Sequence, residues 1–282
     1  DTWRFDQKII WRALNLDPRI PYGPLVDKIK SKQIVQNEIK TAQVYFATDD
    51  PSQISLQKLP KTFMMKSNNA SGRGILVHNG IVMATRKRES TFQPIECTNE
   101  FLRLYATTWL KTLYAANQEK QYALVKPMVF FEEYLENIST EVELYFFNGK
   151  VRLITLFYTD GYTKNPMVAY YDENWNLFDI THPSFVVKTE PIEKPSYMDE
   201  LIAFGERIAE KIDHVRIDFF IKGNDIYFGE FTFTTGGSCR LEHLNTMIGS
   251  YWDFPDPKDP LVNPYLNDLL YRTNCLKSTY KK

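Results

Sequence analysis

Arg216-Ile217-Asp218 and Glu230-Phe231-Thr232 set a guanidinium, two carboxylates and a hydroxyl in pairs, each pair two residues apart. In an extended strand residues i and i+2 share a face, so each triplet presents its polar members together. The flanking runs Val215–Phe220 and Ile226–Phe233 alternate apolar and polar residues, and Lys222-Gly223-Asn224-Asp225 joins them in the pattern of a β-hairpin. Paired in register, the two strands would bring all four groups to one spot. Carboxylate oxygens suit a hard divalent cation such as Mg2+, and a neighbouring guanidinium suits a phosphate on which charge develops. Taken alone, the same pattern also describes a hairpin with a solvated charged face.

A second segment could hold the rest of such a phosphate. Ser67-Asn68-Asn69-Ala70-Ser71-Gly72-Arg73-Gly74 lies between two strand-like runs. Its small residues let the backbone turn tightly and aim successive N–H groups outward, which makes a concave nest for an anion. Lys66 at the end of the incoming strand and Arg73 inside the loop add positive charge there. No Gly-Lys-Ser/Thr follows, so the loop is not a Walker A sequence. In a third segment Phe130-Phe131 runs into Glu132-Glu133-Tyr134-Leu135-Glu136, with Glu141 and Glu143 beyond. Backbone groups at a strand end can bond a purine edge, and a carboxylate can accept both hydroxyls of a ribose.

The elements that must position these segments are mixed. Helical spacing covers Phe5–Leu14, a lysine-rich helix is expected over Leu25–Ile39, and strands are expected over Ala42–Ala47, Thr62–Lys66 and Ile75–Val77. An amphipathic helix is expected over Asn99–Asn117 with Phe101, Leu104, Tyr105, Thr108 and Leu113 along one stripe. Strands dominate from Leu124, interrupted by a helix over Met198–Ile212 that turns Leu201, Ile202, Ile208 and Ala209 to a sheet. Strands and helices without strict alternation point to an α+β protein. Prolines 255, 257, 260 and 264 break the tail.

With 282 residues, 43% hydrophobic and 24% charged, the composition is that of an ordinary globular chain of one large domain or two lobes. A net charge of −1 argues against nucleic acid as partner, because such domains carry a basic excess. Cys97, Cys239 and Cys275 show neither zinc-site nor disulfide spacing. No apolar run reaches membrane-spanning length, and the first residues lack the layout of a signal peptide. A reducing, cytoplasmic setting is the expectation. His78, His182, His214 and His243 are scattered and form no nucleophilic triad.

In order along the chain, Asp27-Lys28-Ile29-Lys30-Ser31-Lys32, Met65-Lys66 with its loop, Glu132–Leu135, Arg216-Ile217-Asp218, Glu230-Phe231-Thr232 and Gly236-Gly237-Ser238 together resemble the ATP-grasp superfamily. Leu59-Pro60-Lys61-Thr62-Phe63, Phe146-Phe147-Asn148-Gly149-Lys150, Tyr171-Asp172-Glu173-Asn174-Trp175-Asn176 and Phe228–Phe233 are similar to its teichuronopeptide-biosynthesis, or TupA-like, branch. The resemblance covers about residues 20 to 250. It implies two α+β lobes clamping ATP: a helical extension over 1–24, a small lobe over 25–130 and a large lobe with the metal site over 131–282. By the same resemblance, the N-terminal domain that many such ligases carry before the clamp is expected to be incomplete in residues 1–24.

By the same resemblance Lys28 and Lys66 reach the α- and β-phosphates, and Ser71, Gly72, Arg73 and Gly74 belong to the loop closing over them. Glu132 and Leu135 meet adenine, and Glu141 takes the ribose. Asp218, Glu230 and Thr232 hold two Mg2+ ions, with Glu230 bridging, and Arg216 faces the reacting centre. Thr232 stands where many members have Asn, and Glu143 where relatives in the branch often carry Lys. The implied activity is ATP-dependent carboxylate–amine ligation through an acyl phosphate, adding an amino acid or peptide to a cell-surface polysaccharide or its precursor. The alternatives are a kinase acting on a glycan hydroxyl and a nucleotide- or polysaccharide-binding module without turnover. The aromatic loop Phe157–Lys164 and the tail after Gly236 are the segments expected to shape the acceptor.

Overall fold

The computed structural model describes residues 3–85, 94–112, 114, 119–158, 167–182, 185–235 and 242–253, without the side chains of residues 84, 85, 242 and 243. Gly236-Gly237-Ser238, Cys239, Cys275, Leu113, the tail prolines and residues 159–164 of the aromatic loop lie outside the described residues. Among the described residues the helices are α1 (Phe5–Leu14), α2 (Tyr22–Val26), α3 (Lys30–Val35), α4 (Asn99–Lys111), α5 (Met198–Ala209) and α6 (Glu242–Ser250). The strands are β1 (Lys40–Thr41), β2 (Val44–Thr48), β3 (Phe63–Ser67), β4 (Gly74–His78), β5 (Ile81–Thr85), β6 (Ile95–Glu96) and β7 (Val129–Glu132). They continue as β8 (Thr140–Phe147), β9 (Lys150–Tyr158), β10 (Met167–Tyr171), β11 (Val186–Val187), β12 (His214–Lys222) and β13 (Asp225–Thr232). No helix among the described residues is long and apolar enough to cross a membrane.

The chain folds into two compact units whose segments interleave. One gathers Asp1–Ile20, Glu141–Asp218 and Thr232–Lys282, the other Pro21–Thr140 and Phe219–Phe231. The expected boundaries at residues 24 and 130 were contiguous, whereas here the N-terminal helix joins the late strands and the hairpin tip joins the early ones.

In the Pro21–Thr140 unit, a sheet runs β2-β7-β3-β4-β5-β6. Alternation on β3 buries Phe63 and Met65, which pack with Ile75, Val77, Val129, Phe131, Leu102 and Ala106. Met64 and Lys66 face the other way, and Met64 sits across from Glu132 in the antiparallel β3–β7 pair. Thr98 caps α4 by accepting the Phe101 N–H at 3.1 Å, with Glu100 in its first turn and Lys111 in its last. The buried positions of α4 are Leu102 and Ala106, flanked by Phe101, Tyr105, Trp109 and Leu110. Leu104, expected in that stripe, is 65% exposed while Phe101 and Tyr105 stay on it, so the apolar face is rotated by about a quarter of a turn from the expected one.

The expected single helix over residues 25–39 is broken into α2 and α3. Asp27 causes the break: its Oδ1 accepts the N–H groups of Ile29 at 3.0 Å and Lys30 at 3.3 Å, a side-chain bond that competes with the helical ladder and starts a new helix.

In the other unit the strand order is β12-β8-β9-β10-β11, with β12 contributing His214–Asp218. The β8–β9 turn uses Asn148 at φ 49° and Gly149 at φ 78°, the left-handed pair that a tight hairpin demands. A core of Phe5, Ile9, Tyr145, Phe147, Leu153, Val168, Tyr170, Leu244, Ile248 and Trp252 joins α1 and α6 to the sheet. α1 forms over the expected residues, its start closed by Gln7 Oε1 accepting the Arg4 N–H at 2.9 Å. On α5, Met198, Leu201, Phe204, Gly205 and Ala209 are buried. Gly205 is required because a Cβ there would lie 2.1 Å from the Phe146 ring.

Candidate active site

The Pro21–Thr140 and Phe219–Phe231 unit contains a pocket of about 140 Å3 lined by Ala42, Met64, Leu135, Ile138, Phe220 and Phe228 on its apolar side and by Lys32, Lys66 and Glu132 on its charged side. Glu133, Tyr134 and Gly229 complete the wall. Glu132 ends β7 and is 2% exposed. Its carboxylate is shared: Lys66 Nζ lies 2.5 Å from Oε1 and Lys32 Nζ 3.1 Å from Oε2. Burial by itself would raise the Glu132 carboxyl, but the attraction of Lys66 and Lys32 prevails and holds it below the ordinary range. Burial pushes the Lys32 ammonium down, opposed by Glu132. Lys32 and Lys66 face Glu132 and Glu133 across an apolar-walled cleft, and a flat apolar group bearing phosphates that can draw on the two ammonium groups matches it.

Lys28 N–H donates to the Asn68 carbonyl at 3.1 Å, so the residue after the Asp27 cap is fastened to the loop that follows β3. The Lys28 ammonium pairs with Glu230 of β13. In the loop, the Asn68 side chain bonds the Lys126 carbonyl at 3.1 Å and the Met128 N–H at 2.8 Å, and Ser67 Oγ donates to Asn69 Oδ1 at 2.8 Å. Asn68, Asn69 and Ala70 are buried, so the first half of the expected anion nest is anchored structure. Ser71 and Gly72 are exposed, Gly72 with φ 76°, and Gly74 opens β4. Arg73 is used otherwise than expected. Its guanidinium donates to the carbonyls of Trp109 at 2.8 Å and Thr112 at 3.3 Å and caps the end of α4, where the helix dipole favours a cation.

The other unit holds an acidic centre. On β8 the residues Glu141, Glu143 and Tyr145 alternate along one face, and on β12 so do His214, Arg216 and Asp218. Oxygen atoms of Glu141, Glu143 and Asp218 all lie within 4.8 Å of one another. Arg216 grips Asp218 with two bonds of 2.6 Å, reaches Glu143 at 2.9 Å, and contacts Thr232 Oγ1 at 3.4 Å. Thr232 Oγ1 in turn lies 3.4 Å from Asp218 Oδ2, and Tyr145 donates its hydroxyl to Glu143 at 3.0 Å. Burial disfavours the Arg216 charge, yet Asp218 and Glu143 outweigh it and hold the guanidinium protonated far above any working pH. Burial and the Glu143 charge push the Tyr145 phenol well up, so it stays a donor. Three carboxylates thus gather around one guanidinium, Glu143 and Asp218 buried and Glu141 half-buried. Carboxylate oxygens gathered in this way suit a hard divalent cation.

Beneath this centre His214 is fully buried, stacked on Phe147 at 4.5 Å, with Nδ1 2.8 Å from the Phe146 carbonyl. Burial and the nearby Arg12 charge hold it neutral, as suits a structural histidine. His78 lies 3.3 Å from Glu136, and the His243 side chain is outside the described residues.

Arg216, Asp218 and Thr232 thus converge with Glu141, while Lys66, Glu132 and Leu135 share the pocket and Lys28 pairs with Glu230. Glu141, expected at a ribose, stands in the acidic centre. Lys32 and Glu143 were not among the expected site residues. Nothing local separates buried Lys32 from exposed Lys30; for Glu143 the signal was its alternation with Glu141 and Tyr145.

This mixed α+β chain, with a lysine-lined pocket at a strand end and strand-borne carboxylates, belongs to the class of ATP-grasp proteins. A profile of the TupA-like ATPgrasp family matches residues 7–247, and the chain belongs to that family. Solved structures resemble it more distantly. A D-alanine–D-alanine ligase from Bacillus anthracis is 16% identical, with 92% of this chain and 70% of that chain covered and a TM-score of 0.42. The macrocyclase MdnC from Microcystis aeruginosa MRC, bound to its precursor peptide MdnA, is 11% identical, with 85% and 64% covered and a TM-score of 0.42. The ATP-grasp ligase PsnB, complexed with a minimal precursor, is 12% identical, with 88% and 60% covered and a TM-score of 0.38. No curated protein matches the chain.

Proposed function

We propose that this protein is an ATP- and Mg2+-dependent carboxylate–amine ligase that works through an acyl phosphate. The observation that carries the reading is the cluster of three carboxylates around Arg216 in a chain of the TupA-like ATP-grasp family. A carboxylate does not condense with an amine at neutral pH because its oxygen is a poor leaving group. In the proposed reaction a carboxylate oxygen attacks the γ-phosphorus of ATP, the bond to the bridging oxygen breaks, and ADP leaves. The amine then attacks the acyl carbon, inorganic phosphate departs with the bonding pair, and the nitrogen loses a proton. Catalysis is chiefly alignment and charge neutralisation.

The residues divide the work accordingly. The pocket of Lys32, Lys66, Glu132 and Leu135 receives the nucleotide. Lys28 is proposed to leave Glu230 for a phosphate, which frees that carboxylate for a cation. Asp218 and Thr232, with Glu141 and Glu143 beside Asp218, supply oxygen ligands, and two Mg2+ ions are the proposed complement. When bound, Mg2+ neutralises phosphate oxygens and polarises the γ-phosphoryl group. Arg216 is proposed to face the reacting phosphoryl group, and the exposed Ser71-Gly72 turn to close over the phosphates and exclude water. The family's branch supports a cell-surface polysaccharide or its precursor as acceptor of an amino acid or peptide, in the cytoplasm.

The test supplies ATP, Mg2+ and candidate carboxylates with hydroxylamine. ADP together with a hydroxamate is the expected result. ADP without hydroxamate, but with a phosphorylated glycan, would replace the ligase with a kinase, and absence of ATP binding would remove both.

A further inference from the structure

The proposed reaction leaves Arg12 unused, and three short hydrogen bonds hold it firmly. It lies on α1, two hundred residues away in sequence from the strands of the acidic centre, and its side chain is 3% exposed. Its guanidinium donates to the His214 carbonyl at 2.6 Å, the Phe233 carbonyl at 2.7 Å and the Asp213 carboxylate at 2.6 Å. Trp252 lies under it at 4.7 Å and closes the frame by donating its indole N–H to Asp213 at 3.1 Å. One cation therefore joins the start of β12, two residues before Arg216, to the residue that follows Thr232 at the end of β13.

We propose that Arg12 is a positioning residue for the acidic centre: by tying the His214 and Phe233 carbonyls together it sets where Asp218 and Thr232 stand, and so how tightly the centre takes a divalent cation. This rests on the proposed cation reading of Glu141, Glu143, Asp218 and Thr232. The physical argument is one of leverage. Thr232 is the last residue of β13, and a strand end is held only as well as its next carbonyl. Thr232 Oγ1 already stands 3.4 Å from Asp218 Oδ2, so a few tenths of an ångström decide whether both oxygens can ligate one ion. His214 fixes the neighbouring side of the frame through its Nδ1 bond to the Phe146 carbonyl on β8, the strand of Glu141 and Glu143. A guanidinium offers its donors in one rigid plane and so reaches two carbonyls and a carboxylate at once, a geometry an ammonium does not hold. On this account α1 is a working part of the centre and not an appended helix.

The experiment titrates Mn2+ into the full chain without nucleotide and reads free Mn2+ by its paramagnetic resonance, for wild type, Arg12→Lys, Arg12→Met and Asp218→Asn. A fluorescent ATP analogue is titrated into the same proteins without metal, and circular dichroism monitors the fold. The expected result is Mn2+ binding about 10- to 100-fold weaker in Arg12→Met, with a smaller loss in Arg12→Lys and metal-free nucleotide affinity within about twofold of wild type. Should Arg12→Met not fold, Arg12→Lys carries the same comparison. Wild-type Mn2+ affinity in the folded Arg12 variants overturns the inference, as does an equal loss of Mn2+ and of metal-free nucleotide binding. Failure of the cation reading itself would show first in the other two proteins: no Mn2+ bound by wild type, or binding that Asp218→Asn does not weaken.

Discussion

Glu132 illustrates how much a single side chain does in this molecule. With two lysines on one buried carboxylate, its removal strands two positive charges beside each other. Glu132→Gln is expected to lower stability by about 3 kcal/mol, read from the midpoint of urea unfolding. The pH dependence follows from the lowered carboxyl: its contribution is present above the unfolded carboxylate value and is lost as pH falls through the lower folded value. The gap between wild type and Glu132→Gln is therefore expected to stay constant near neutrality and to close in acid. Glu230→Gln should behave differently. It removes an ion pair with Lys28 that is partly open to solvent, so the fold should survive while turnover is lost. Retained ADP formation in that variant would remove Glu230 as a metal ligand.

The same logic extends to the packing of helices. Lys8 donates to the Gly249 carbonyl at 2.9 Å and the Trp252 carbonyl at 2.7 Å, closing the end of α6 with a cation from α1. Burial lowers this ammonium from 10.5 to about 8. A lowered folded value means that the unfolded chain binds the proton more strongly. The contribution of Lys8 is thus complete above the unfolded value and is lost as pH falls through about 8. Relative to Lys8→Met, wild type is expected to gain stability as pH rises from about 8 to 10.5, measured by denaturant midpoints across that range. Across the sheet from these helices, Gly205→Ala would press a methyl group into the Phe146 ring and should cost about 1–3 kcal/mol or more. A neutral result would mean that α5 can slide on β8.

At the scale of the molecule, each interleaved unit carries a core and a cluster of charged groups: a lysine-lined pocket in one, three carboxylates around Arg216 in the other. Ligands that bind the folded form slow the opening of the part they touch. A metal-free ATP analogue is expected to slow amide exchange first in β3, β7 and the Glu133–Leu135 segment, and Mn2+ alone to slow it first in β8 and residues 214–218. Identical protection patterns from the two ligands would contradict the assignment of nucleotide to the Glu132 pocket and of cation to the Asp218 cluster.

Much of the local structure was legible from side-chain periodicity: α1 occupies the predicted Phe5–Leu14, and β12 and β13 flank the predicted turn, because helix and strand periods are properties of neighbouring residues. The same holds for the alternation that puts Arg216 with Asp218. Features set by distant partners were not legible. The Leu104 face is turned by what α4 packs against, and Arg73 is drawn to the end of α4. Burial of Lys32 but not Lys30, and the meeting of Glu141 and Glu143 with Asp218, likewise depend on segments far apart in the chain. The break before α3 is a local feature of another kind, a side-chain cap by Asp27 that apolar periodicity does not register. Residue type and spacing determined which groups could do chemistry, while tertiary contact alone decided which of them share a charge balance, because electrostatic energy depends on separation in space and on exclusion of water.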